Sequence, residues 1–166
     1  MKKENFRKES GFTLVELMIA IAILAIVTAL AAPSFTSSIK RNQRTSCTNQ
    51  LVGTLQLARS EAVRLSRAIT VTAPTGIENG ITVYRDVDGD GVASADETIQ
   101  VTRRCNGTAV SVSQGNIEYT YTPAGWTSPA DELVIQVCDA DETGESGRNI
   151  RVLVSGVVRT GAITCS

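Results

Sequence analysis

The chain has 166 residues, 42% hydrophobic and 4% aromatic, with 16 basic and 17 acidic side chains and no histidine. That length holds one membrane-length helix and one globular domain of about 100 residues. A formal charge of −1 gives no overall field that gathers nucleic acid, which leaves a local basic patch as the one route to it. Without histidine the usual acid–base shuttle and the Ser-His-Asp arrangement are excluded, and no GxSxG, phosphate loop or dinucleotide motif replaces them.

The first element is a short leader followed by an apolar run. Residues 1–11 carry Lys2, Lys3, Arg7 and Lys8 against Glu4 and Glu9, and the positive-inside rule keeps such a segment cytoplasmic. From Phe12 to Ala32 the only charge is Glu16. At about 1.5 Å per residue that run makes a helix about 30 Å long, enough to cross a bilayer core. A secretory signal peptide has a shorter apolar region, about 7–15 residues, with a small-residue cleavage site after it. Here the run is longer and Gly11 precedes it. Glu16 sits one turn inside, where an acidic side chain costs about 2.5–3.5 kcal/mol on insertion scales. It either has a partner or, in a plain anchor, lies near enough to the interface to stay wet.

Gly11-Phe12-Thr13-Leu14-Val15-Glu16, followed by the apolar run, resembles the class III signal of type IV pilins and pseudopilins. The resemblance implies that a prepilin peptidase cuts between Gly11 and Phe12 and methylates the new Phe12 amine. It also implies that Glu16 pairs with the N-terminal amine of a neighbouring subunit during assembly. The physics agrees, because a carboxylate in hydrocarbon is relieved by a cation at the same depth. Loss of residues 1–11 takes the formal charge from −1 to −3.

The helix is expected to continue past the run, from about Thr13 to Ser66, loosened or kinked at Pro33, which lacks a backbone donor. Leu51, Leu55, Ala58, Ala62 and Leu65 recur at four- and three-residue steps and form one apolar stripe, with Arg59, Arg64 and Arg67 off it. The stripe is expected to pack on the protein's own sheet. After Ala68 the chain turns to Thr, Val and Ile with frequent turn residues. Strands are expected at 68–73, 81–86, 98–103, 110–113, 117–122, 133–138, 150–155 and 157–164, with turns at 74–76, 78–80, 114–116, 123–125 and 143–147. The polar segment Asp139–Arg148 is expected to be a mobile loop. Alternation in Ile81-Thr-Val-Tyr84 and Ile117-Glu-Tyr-Thr-Tyr121 suggests antiparallel sheets with one wet face.

Cys47, Cys105, Cys138 and Cys165 all follow the anchor, on the side where disulfides persist. Four cysteines allow three pairings, and the sequence alone does not decide among them. The favoured pairing is Cys47–Cys105, stapling helix to sheet, with Cys138–Cys165 tying the C-terminal tail to a neighbouring strand. Metal binding is the alternative, weakened by the lack of CxxC and histidine.

Leu57-Ala-Arg-Ser-Glu-Ala-Val63, Val137-Cys-Asp139 and Asn149-Ile-Arg-Val-Leu-Val-Ser-Gly156 are similar to signatures of the GspH/FimT branch of minor pilins and pseudopilins. That implies an α+β pilin fold, a long N-terminal helix laid against antiparallel β structure. The organisation is then a cleaved leader (1–11), a transmembrane and assembly helix (12–33), its amphipathic second half (34–67) and a periplasmic β-rich domain (68–166). The implied role is a minor type IV pilin that primes pilus assembly near the tip and supports twitching motility, without enzymatic activity. Implied partners are the prepilin peptidase, other minor pilins, the major pilin and the inner-membrane assembly platform. The chain would wait in the inner membrane as a single-pass protein and then join the pilus at the cell surface. A type II secretion pseudopilin and a DNA-uptake receptor are the alternatives.

Two local motifs carry separate chemistry. Asp86-Val-Asp88-Gly-Asp90-Gly91-Val92-Ala-Ser-Ala-Asp96-Glu97 fits the D-x-[DN]-x-[DN]-G-x5-E calcium pattern. Asp86, Asp88 and Asp90 would supply single oxygens, Val92 a carbonyl and Glu97 two oxygens, with Gly91 permitting the turn. β flanks are wrong for an EF-hand, so the plain alternative is a solvated hairpin loop, and no cofactor is otherwise required. Ser155-Gly-Val-Val-Arg-Thr-Gly161 lies where DNA-binding members of the branch carry Gly-Arg-x-Arg; here Val157 replaces the first arginine and Arg159 is kept. One arginine makes a weak phosphate site. Trp126 is expected to plug the core or anchor a loop, and the acidic pairs Asp131-Glu132 and Asp139–Glu142 to solubilise loops.

Overall fold

The computed structural model describes residues 12–112, 117–139 and 146–165, with the side chains of residues 30–34, Glu78 and Val112 left aside. Among the described residues one helix, α1 (Leu14–Leu65), is followed by nine strands: β1 (Ile69–Thr72), β2 (Thr82–Tyr84), β3 (Thr98–Val101), β4 (Thr108–Val112), β5 (Glu118–Tyr121), β6 (Thr127–Ser128), β7 (Leu133–Asp139), β8 (Ser146–Val152) and β9 (Val158–Thr164). The chain divides within α1 into two compact units, one ending at Ile39 and one running from Lys40 to Ser166. The loosening expected at Pro33 falls among side chains outside those described.

The second unit is built on the predicted stripe. Leu51, Leu55, Ala58 and Ala62 are buried and Leu65 is partly buried, in one cluster with both sheets. Each fully buried leucine stabilises by about 1.5–3 kcal/mol. One sheet has the order β3-β2-β1-β5-β6 and the other β4-β7-β8-β9, all pairs antiparallel. Ile69, Val71, Val83, Tyr119 and Tyr121 face the core from the first sheet, and Leu133, Ile135, Val137, Ile150 and Val152 from the second. The second half of α1 and the strands therefore give the α+β arrangement, helix against antiparallel sheets, that the sequence suggested.

The end of α1 has its own logic. Ser66 takes φ 51°, the left-handed region, without being glycine. Its N–H donates to the Val63 carbonyl at 3.3 Å and the Arg67 N–H to Ala62 at 3.2 Å, which together make a Schellman stop.

Several expectations need correction. β8 begins at Ser146 and β7 runs through Asp139, so both ends of the supposed 139–148 loop are strand; residues 140–145 lie outside the description. Polar Ser-Gly-Arg-Asn carries no apolar alternation, yet β9 pairs with its whole length and β7 with its last two residues, Arg148 lying opposite Val137 and Ala162. β8 ends at Val152, short of the expected Ser155, because Gly156 turns the chain there and its N–H donates to Leu153. β4 begins at Thr108, earlier than expected, pairing with Asp139. The turn at 78–80 is a short 3₁₀ segment, Ile77–Asn79, and β6 was not foreseen. The turn expected at 114–116 lies outside the described residues. Trp126 does not plug the core: it is 60% exposed, and only its backbone is anchored, to Thr122.

Both favoured disulfides form, Cys47–Cys105 and Cys138–Cys165. Cys105 lies in the connection between β3 and β4, so the first bond ties α1 to the passage between the two sheets. The second runs from β7 to the residue after β9 and crosses β8 at Gly147. A Cβ on Gly147 would lie 2.3 Å from Cys165 Sγ and 3.0 Å from Cys138 Sγ.

Candidate functional site

The described N-terminal end starts at Phe12, 92% exposed and outside the helix; Gly11 lies outside the described residues. Thr13 caps α1. Its backbone N–H and its hydroxyl each donate to Glu16 Oε2 at 2.9 Å, and the Glu16 N–H donates back to Thr13 Oγ1 at 3.2 Å. This is a reciprocal capping box, satisfying donors that a helix start leaves orphaned. Beyond it Leu14, Val15, Leu17, Met18, Ile19, Ile21, Ile23, Leu24, Ile26 and Val27 are all more than half exposed. Among the described residues no helix is long and apolar enough to cross a membrane. The side chains of this run are described only as far as Ala29, short of its apolar end at Ala32.

The acidic loop joins β2 to β3 and is organised by Glu97, which is buried. Its Oε1 accepts the Val87 N–H at 2.5 Å, and its Oε2 accepts the Ser94 hydroxyl at 2.7 Å. The Ser94 hydroxyl first, then the backbone N–H groups, hold its carboxyl below the usual glutamate range. Asp86 accepts the Gly89 and Gly91 N–H groups, and the Tyr84 hydroxyl donates to the Gly91 carbonyl, folding the loop back on β2. Asp86, Asp88 and Glu97 each offer an oxygen within 4.8 Å of the others. Asp90 stands apart from that trio, its carboxylate taken by the Val92 N–H at 2.7 Å.

Toward the β5–β6 edge of the same sheet two of the three internal signatures meet. Arg59, within Leu57–Val63, donates from Nε to the Gly125 carbonyl at 3.0 Å and from Nη2 to the Ser155 carbonyl at 3.1 Å. Gly156 has φ 76°, and a Cβ there would lie 2.0 Å from the Gly125 oxygen and 2.8 Å from Arg59 Nε. One arginine thus binds two turns, and Gly156 lets them approach. Arg159 lies exposed on β9, in register with Arg151, which is ion-paired to Glu132. The structure therefore brings only one unmatched arginine to this position among the described residues.

Sequence reasoning missed Arg44. It is buried in α1, forms an ion pair with buried Asp139 at 3.3 Å and donates to the Ser146 carbonyl. No local signal marks a pair so far apart in the chain; the only hint is that Arg44 lies one turn before Cys47, at the start of the buried face.

The family described as "Type II transport protein GspH" matches residues 48–157. The chain belongs to the GspH family. The "Prokaryotic N-terminal methylation motif" matches residues 6–32 of this GspH-family chain, a span that includes Phe12 and Glu16. A "Fimbrial protein" of Pseudomonas aeruginosa is 33% identical over 110 residues, covering 64% of this chain and 68% of the relative. The crystal structure of the Pseudomonas aeruginosa type IV minor pilin FimU superposes with TM-score 0.64 at 23% identity, covering 76% of this chain and 97% of FimU. The minor pseudopilin EpsH of the type 2 secretion system of Vibrio cholerae superposes with TM-score 0.54 at 11% identity, covering 72% of this chain and 97% of EpsH. At those identities the superpositions establish the fold. The GspH-family chain thus shares the fold of FimU and EpsH and carries the N-terminal methylation motif.

Proposed function

We propose that this chain is a minor type IV pilin that joins other minor pilins in a priming complex, enters the pilus near its tip and so supports pilus biogenesis and twitching motility. The observation that carries the reading is the first half of α1, a run of exposed apolar side chains headed by one carboxylate. Before assembly, the run Phe12–Ala32 lies in the inner membrane as a single pass, with the β domain in the periplasm. A prepilin peptidase removes residues 1–11 and methylates Phe12. On assembly the helix leaves lipid for a core of neighbouring helices, on the platform that feeds the pilus. Glu16 meets the amine of a neighbour, and the β domain selects which neighbour.

Counting surface pili after in-frame deletion of this chain, with its neighbours intact, tests the role. A sharp loss restored by complementation supports it; normal numbers move the weight to secretion or DNA uptake. The pseudopilin reading rests on the same architecture and on the fold of EpsH. DNA uptake rests on Arg159 alone.

The same reading gives the β2–β3 loop a calcium-holding role through Asp86, Asp88 and Glu97, with Asp90 and the Val92 carbonyl as the remaining oxygens of the motif. Calorimetric titration with calcium tests it, and no heat at millimolar ion would remove it.

A further inference from the structure

The two turns that Arg59 holds together border a cleft. Arg59, Val63, Gly156, Val157 and Val158 line a cavity of about 680 Å³ beside the last turns of α1. Its valines are open to water: Val63 is 51% exposed and Val157 38%. Trp126, which follows Gly125 in one of the bound turns, is exposed as well. Exposed aromatic and aliphatic side chains beside an arginine are the composition of the centre of a protein interface. The frame is rigid, since Arg59 hydrogen-bonds to both turns and a Cβ on Gly125 would lie 3.1 Å from Val63 Cγ2.

The charge in the cleft is unbalanced. Arg59 is half-buried and donates to neutral carbonyls, with no carboxylate at ion-pair distance among the described residues. Arg64, on the rim, is already paired with Glu61. The Tyr121 phenol lies in the field of Arg59, but burial pushes its pKa up and keeps it neutral. A cation taken partly out of water beside apolar groups favours an anion brought to it.

We infer that this cleft is a socket for a neighbouring pilus subunit, which inserts an apolar side chain flanked by a carboxylate, the first against Val63 and Val157 and the second toward Arg59. The inference rests on the proposed function and deepens it, by naming the surface through which the β domain selects its neighbour. Nucleic acid fits less well, because a phosphate backbone is held by several free cations and this cleft offers one above apolar side chains. A second copy of this chain fits less well too. Its acidic loop is folded back on β2, and Asp86 already accepts two backbone N–H groups.

The test places a small photoreactive residue at Val157 of the full-length chain in cells, and adducts are mapped by mass spectrometry in the membrane fraction and in sheared pili. The expected adduct joins Val157 to another subunit at a residue beside an Asp or Glu. Val63→Asp puts a carboxylate into the socket and leaves both Arg59 bonds to the turns in place. It is expected to lower the adduct and incorporation about tenfold, because like charges then face each other across the contact. Val63→Thr keeps the shape without the charge and is expected to stay within about twofold of native. The mapping from Val157 needs neither substitution, so it stands even if Val63→Asp misfolds. Adducts to nucleic acid alone, to a second copy of this chain, or to no subunit in pili that contain the chain overturn the inference, as does a native adduct from Val63→Asp. If the chain never enters sheared pili, the proposed function itself fails and takes this inference with it.

Discussion

The two halves of α1 use the same kind of residue in opposite ways. Between Leu14 and Val27 every large aliphatic side chain is exposed by 55% or more, while Leu51, Leu55, Ala58 and Ala62 in the second half are 1% exposed or less. Both stretches are helical, so propensity does not separate them. The difference lies in patterning. The second half gathers Leu51, Leu55, Ala58 and Ala62 on one face and leaves Arg59, Arg64 and Gln56 off it, and the chain supplies the cover: two sheets and the Cys47–Cys105 bond. The first half is apolar on all sides, and a helix of that kind needs surroundings on all sides. Its cover, in the proposed function, comes first from lipid and then from neighbouring helices.

The largest effect that would sharpen this contrast comes from Arg44, near the start of the covered half. Replacing Arg44 with Ala leaves the buried Asp139 carboxylate unpaired and is expected to cost about 3–5 kcal/mol of domain stability, read by chemical denaturation. Leu55→Ala is next, at about 3 kcal/mol, from lost burial and the cavity left behind. The matching change in the open half, Leu24→Ala, is expected to leave the denaturation midpoint of the β domain unmoved. A comparable loss from Leu24→Ala would break the comparison.

Ser66→Gly acts at the end of the covered half and in the other direction. It relieves a side chain held at φ 51° and is expected to raise stability by about 0.5–1 kcal/mol, seen as a higher melting temperature. The smallest effect is local and depends on pH. Glu97 has its carboxyl held below the usual range, so its contribution is present above the ordinary value of about 4.3 and is lost as pH falls through the lower folded value. Hydrogen exchange at the Val87 and Asp88 amides should therefore speed up in acid before the core opens. Protection unchanged down to global unfolding would show that Glu97 does not hold the loop.

What could be read in advance was what is periodic or local. The stripe at Leu51, Leu55, Ala58 and Ala62, the alternation in β2 and β5, and the turn residues around them give the helix and most strands. The calcium pattern located a compact loop, and the structure gathers three of its carboxylates. What could not be read is what depends on a distant partner. Ser146-Gly-Arg-Asn149 looks like loop, yet it is strand, because β9 pairs with all of it, β7 pairs with Arg148 and Asn149, and its glycine fits beneath a disulfide. Arg44 finds Asp139, and Arg59 finds the turns at Gly125 and Ser155, across long stretches of chain that no local pattern spans. Trp126 was misplaced for the same reason, since an aromatic after Pro123-Ala-Gly125 says nothing of which side of the turn faces water. Among three disulfide pairings the sequence offered a preference, and only the fold placed the sulfurs together.

The central claim is that the open half of α1 is covered by other subunits once the chain is assembled. Site-specific photo-crosslinking in cells tests it directly, with a photoreactive residue placed at Leu24 and adducts analysed in sheared pili. The account predicts subunit-to-subunit adducts through Leu24, lost when Glu16 is replaced by Ala together with incorporation itself. Native incorporation with no subunit adduct from Leu24 would contradict it.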